Sequence, residues 1–198
     1  INAHSALAEA EAISRDNFEK VNMQGFIYLL QNKLPLAEEK FLAATRIKED
    51  YSEAWVNLGQ VYIQQGKWEQ AIKACQNSIK NLLYLTPYEA YNIMGWAYFN
   101  LKQLEDASAA FNNALSSNPN YIVAVTNLGL TYLEAGKTDE ALSQYEKAEV
   151  LCKTCPSGPK ANLLWLKSNV YLRRGEKRKA ISLLKACQTL DNNGPSGN

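Results

Sequence analysis

Tyrosine returns along this chain at Tyr28, Tyr62, Tyr98, Tyr132 and Tyr171, with gaps of 34, 36, 34 and 39 residues. Nine residues after each comes an alanine: Ala37, Ala71, Ala107, Ala141 and Ala180. Three residues before each stands a small residue: Gly25, Gly59, Gly95, Gly129 and Ser168. Four after each alanine lies a larger residue, Phe41, Cys75, Phe111, Tyr145 or Leu184. Three further on the chain is small again, at Ala44, Ser78, Ala114, Ala148 and Cys187. A pattern that returns at this period demands one supersecondary unit, built repeatedly and stacked on itself.

The columns fit paired helices. Trp55, Leu58, Gly59 and Tyr62 stand at i, i+3, i+4 and i+7, one stripe of an α-helix. A turn follows at Gln64–Lys67, Leu133–Lys137 and Arg173–Glu176, each with a glycine suited to a helix C-terminus. Pro35 falls where a second helix opens. The small columns allow close approach of two helices and the large ones fill the space beside them. The alternation of period two that a strand needs is absent.

These columns resemble the tetratricopeptide repeat (TPR), W-x2-L-G-x2-Y, A-x3-F and P; Pro119 closes the third unit at the matching place. The resemblance implies an all-α fold, a right-handed α-solenoid of about five TPR helix pairs. It places repeats at 18–51, 52–87, 88–121, 122–160 and 161–194. Residues 1–17 are expected to be a helical or flexible segment ahead of them. The tail, 195–198, is expected to be flexible.

In that family the first helix of each pair lines an inner face with its fifth, ninth and twelfth positions. Here these are Asn22, Phe26 and Leu29; Val56, Gln60 and Ile63; Asn92, Trp96 and Phe99; Thr126, Leu130 and Leu133; and Trp165, Asn169 and Leu172. Together they predict a peptide-binding groove. The fifth and ninth positions hold no Lys or Arg, so a clamp for a C-terminal carboxylate is not expected. The asparagines are candidate backbone-binding amides. The expected partner is a protein or peptide segment with apolar side chains, each buried anchor being worth roughly 1.5–3 kcal/mol. The competing expectation is that stacking buries these side chains in the core.

Between the second and third units lies a two-residue insertion, in Asn81–Asn100. Its Leu83, Tyr84, Thr86, Pro87, Tyr88, Ala90, Gly95 and Trp96 are similar to the type IV pilus pilotin family (PilF/PilW/Tgl). That resemblance implies a lipoprotein of the bacterial periplasm, associated with the outer membrane, that assists secretin assembly and contacts a secretin subunit. A membrane anchor would be an N-terminal lipid outside this chain. The alternatives are a generic TPR scaffold or cochaperone, cytoplasmic in that case, or a regulatory TPR domain of a larger protein.

Composition limits the other classes. Twenty-one Lys and Arg against 20 Asp and Glu leave a net charge of +1, without the field that nucleic-acid binding requires. The only histidine, His4, leaves no nucleophile–base pair to assemble, and no glycine-rich phosphate loop occurs. No enzyme activity, cofactor or metal is expected. Cys75, in a large apolar column, reads as a buried hydrophobe. Cys152 and Cys155 form a CxxC in the linker before the fifth repeat. Structural zinc needs four ligands, and only Cys187 is a plausible third. A disulfide from Cys155, or else Cys152, to Cys187 is expected to tie that linker to the last repeat.

Overall fold

The structure is a computed structural model that describes the backbone of residues 3–192 and the side chains of residues 17–190. The tail expected at 195–198 lies outside the described residues. Those residues form ten helices and no strand: α1 (Ala3–Leu30), α2 (Leu34–Ile47), α3 (Ser52–Gln64), α4 (Trp68–Ser78), α5 (Pro87–Asn100), α6 (Leu104–Ser117), α7 (Ile122–Glu134), α8 (Thr138–Leu151), α9 (Ser157–Arg173) and α10 (Lys177–Asn192). The fold is all-α and of the helix-pair solenoid class. Residues 3–17 continue unbroken into the first helix of the first repeat. The boundary expected at 160/161 falls inside α9.

The chain divides into two compact units, Ile1–Leu101 and Lys102–Asn198, with the division inside the third repeat. In the first unit α1 packs on α2 and α3 on α4, and α2–α3 and α4–α5 join the successive pairs. In the second, α7 packs on α8 and α9 on α10, with α6–α7 and α8–α9 as the joints.

Each sequence column has a packing cause. All five alanines, Ala37, Ala71, Ala107, Ala141 and Ala180, are fully buried. The small column faces the large one within a repeat. A Cβ at Gly25 would come within 2.7 Å of the Phe41 ring, one at Gly59 within 2.7 Å of Cys75 Sγ, and one at Gly129 within 2.6 Å of the Tyr145 ring. Only a missing side chain lets these helix pairs close. The pattern fails at the fifth repeat: Leu184 is 37% exposed and Ile181 52%. Among the described helices α10 packs on α9 alone, so no other described helix covers its outer side.

The tyrosine column organises the turns. The N–H of Lys33, Lys67, Lys137 and Glu176 donates to the carbonyl of Tyr28, Tyr62, Tyr132 and Tyr171, at 2.8–2.9 Å. That six-to-one bond needs a left-handed residue just before the donor. Gly66, Gly136 and Gly175 supply it, and Asn32 takes the same conformation at φ 56°. Lys33, Lys67, Lys137 and Lys179 then lie over the four tyrosine rings, 5.2–6.0 Å from the centroids.

Candidate functional site

In the first unit, α1, α3, the α4–α5 loop and the start of α5 enclose a cleft of about 240 Å³. Asn22 and Phe26 of α1 and Val56 of α3 line it, all three from the predicted groove positions. Phe26 is 42% exposed and Met23, one turn away, 58%. Val56 is buried and forms the floor. Asn22 Nδ2 donates to the Tyr51 hydroxyl at 3.4 Å, and Asn57 Nδ2 donates to Asn22 Oδ1 at 3.2 Å. Asn22 is thus held within the protein, which preorganises the rim and leaves less of its amide for a partner backbone than expected.

The inserted loop closes this cleft. Tyr84 and Thr86 line it, with Glu53 and Glu89 at the rim. Burial pushes the Tyr84 hydroxyl up to about 12. Burial, then the charges of Glu53 and Glu19, raises Tyr51 as well. Both stay neutral donors through the physiological range. The apolar floor, neutral polar walls and acidic rim can hold an apolar side chain and do not favour a carboxylate. The periodicity could not reveal Tyr51, Asn57, Tyr84 or Thr86, because they lie outside its columns. The insertion was the available signal for the last two.

The remaining predicted positions divide. Leu29, Gln60, Ile63, Asn92, Trp96 and Phe99 are half-buried, and Trp96 stacks on Phe99 with centroids 5.4 Å apart. In the second unit Trp165 is 49% exposed and Leu172 47%. Leu130 and Asn169 are half-buried there. Thr126 turns its hydroxyl to the carbonyls of Ile122 and Val123, at 3.1 and 2.9 Å. Leu133 is a correction. It is 3% exposed and belongs to the core with Val125, Tyr145, Leu166 and Val170. Arg173 of α9 closes over it, donating Nη1 to the Leu133 carbonyl at 2.9 Å.

The disulfide is a second correction. The bond joins Cys152 to Cys155, with Cα atoms 4.9 Å apart. Cys155–Cys187 and Cys152–Cys187 are therefore not formed. The cause is local: the turn after α8, where Cys155 N donates to Cys152 O at 3.0 Å, brings the two together. The Cys187 thiol donates to the Ala161 carbonyl at 3.3 Å. Cys75 is fully buried, as its column requires, and burial drives its thiol far above the ordinary value.

Among the described residues no helix is long and apolar enough to cross a membrane.

Comparison with known proteins agrees with this architecture. Models described as tetratricopeptide repeat match residues 52–81, 88–121 and 110–149. The protein O-mannosyl-transferase TMTC2 of Homo sapiens is 29% identical over 102 residues, which is 51% of this chain and 12% of that protein. The chain thus spans about a tenth of the length of such curated relatives. Among solved structures, PilW, a widely conserved type IV pilus biogenesis factor, superposes with a TM-score of 0.82. It is 20% identical, and the match covers 98% of this chain and 87% of that one. The pilF protein of Pseudomonas aeruginosa gives 0.72 at 18% identity, over 88% and 78%. At these identities the likeness speaks for the fold. The chain thus carries tetratricopeptide repeats at residues 52–81 and 88–149, and its helix pairs repeat the motif that the tyrosine, alanine and glycine columns spell out.

Proposed function

We propose that this chain is a protein-interaction module that grips an apolar segment of a partner, and that it serves type IV pilus biogenesis as a pilotin-like factor for an outer-membrane secretin. The observation that carries the reading is the cleft of α1 and α3, where Phe26 and Met23 stand exposed above a Val56 floor and Tyr84 and Thr86 close one side. Those last two residues belong to the insertion that resembles the pilotins, and the folds of PilW and pilF support the same reading. It implies the periplasm and the outer membrane as the place of action. Binding is the whole of this function, and no chemical step is assigned to any residue.

A second reading, a scaffold or regulatory TPR region that binds other apolar segments, is favoured by the match to a short stretch of the much longer TMTC2. One experiment separates them. The full chain is titrated with the soluble domain of a type IV pilus secretin and, separately, with an unrelated apolar peptide. The pilotin reading expects saturable secretin binding that Phe26→Ala weakens about tenfold at unchanged helicity, with Trp96→Ala and Phe99→Ala weakening secretin assembly. Equal binding of the unrelated peptide would select the scaffold. Loss of helicity in the variants would return these side chains to the core.

A further inference from the structure

The loop between α4 and α5 turns three leucines outward. Leu82, Leu83 and Leu85 are 95%, 84% and 91% exposed. Between them Tyr84 points the other way, into the cleft of α1 and α3. Asn81 fixes the loop at its start. Its Nδ2 donates to the Asp50 carbonyl at 3.1 Å and its Oδ1 accepts the Leu83 N–H at 3.0 Å. Its own carbonyl accepts the Tyr84 N–H at 3.1 Å. The leucines are therefore displayed by a loop already held in shape, and a partner would find little left to order.

Leu82 and Leu83 form one wall of a cavity of about 490 Å³, twice the size of the cleft described above and sharing no lining residue with it. Trp55, Glu49, Asp50 and Lys80 complete its character. The indole is fixed by a hydrogen bond from Trp55 Nε1 to the Glu49 carbonyl at 2.7 Å. Lys80 Nζ is turned to Asn77 Oδ1 at 2.7 Å. The lining thus brings two acidic residues, Glu49 and Asp50, against one basic residue, Lys80; its bond to the neutral Asn77 amide leaves its charge in place, so one negative charge is in excess.

We propose that this cavity is a second docking site, for a partner segment in which a large apolar side chain is flanked by Lys or Arg. The apolar side chain seats on the Trp55 indole, a side chain of the kind enriched at the energetic centres of interfaces, and Leu82 and Leu83 add apolar area beside it. The flanking cation meets Glu49 and Asp50, which set the polarity of the segment accepted. The same carboxylates argue against an anionic membrane surface as the occupant, since inserting the leucines would drive like charges together.

The test uses the full chain and three synthetic 12-residue peptides with the same Phe-Leu centre, flanked by Arg, by Ser or by Glu. Calorimetry should show the Arg peptide binding at least tenfold more tightly than the Ser peptide and the Glu peptide more weakly still. Glu49→Lys with Asp50→Lys should abolish that order. Leu82→Ser with Leu83→Ser should weaken the Arg peptide at least tenfold with the circular dichroism unchanged, because such exposed side chains hold nothing together. Three peptides that bind alike, or none that binds, would overturn the proposal. So would Arg-peptide binding that survives the leucine changes or vanishes with Phe26→Ala. Leucine-dependent sedimentation with vesicles of phosphatidylcholine and phosphatidylglycerol, without peptide binding, would assign the loop to lipid instead.

Discussion

Gly129 and Tyr145 fix each other's identity. The ring of Tyr145 is fully buried and lies where a side chain on Gly129 would begin. Alanine at Gly129 would gain about 1 kcal/mol of helix propensity. It would also force a buried ring aside, and overpacking of that kind costs about 1–3 kcal/mol. The ring has no flexible end to yield, so the steric term prevails, and Gly129→Ala should lower the thermal midpoint by about 2–5 °C. Gly158→Ala, in a helix and with open space around it, should raise it slightly. Calorimetric melting of the two variants checks the opposite signs.

Glu38 carries a pH dependence at the same scale. Partial burial, the largest single influence, pushes its carboxyl up. Hydrogen bonds from Gln65 at 2.9 Å and Lys67 at 3.0 Å, with the lysine charge, outweigh it and hold the group below the ordinary value of 4.5. A carboxyl depressed by folding adds stability above its unfolded value and loses it as pH falls through the folded one. Glu38→Gln should therefore cost about 0.5–1 kcal/mol at neutral pH and almost nothing at pH of about 3. Urea melts at the two pH values read the difference, and an equal loss at both would assign Glu38 a role other than its charge.

At the scale of elements, the link between α8 and α9 is closed by Cys152–Cys155. A disulfide spanning so few residues removes little chain entropy, about 2 kcal/mol by the loop-closure relation. Reduction should thus lower protection against hydrogen exchange at the end of α8 and the start of α9 by up to about thirtyfold, without unfolding α7. Mass-resolved exchange with and without reductant measures this. The helix pairs themselves were legible in the sequence because packing imposes the period: Gly25 answers Phe41 and Gly59 answers Cys75 within each repeat. The groove was legible only in part. Val56 and Leu133 share a helical stripe with exposed neighbours, and spacing alone cannot tell which member of a stripe the next helix covers. The disulfide went astray for a similar reason. The sequence shows that Cys152 and Cys155 share a linker, but only the turn after α8 shows that they touch.

For the whole molecule the division at Leu101 and Lys102 matters more than the count of repeats. In a stacked array each repeat gains its stability from its neighbours, so damage stays near its source unless cooperativity spans the chain. Both clefts are lined entirely by residues of the first unit, the smaller by residues from Asn22 to Glu89 and the larger from Glu49 to Leu83. The Gly129–Tyr145 contact and the disulfide belong entirely to the second. It follows that Gly129→Ala, in the reduced protein, should lower exchange protection by about threefold to tenfold across α7, α8 and α9. Protection in α2, α3 and α4, and peptide affinity at either cleft, should change less than about twofold, well under 1.4 kcal/mol. Coincident loss of protection in both units would show that the array unfolds as one body. Binding by the first unit would then depend on a core to which it contributes no lining residue.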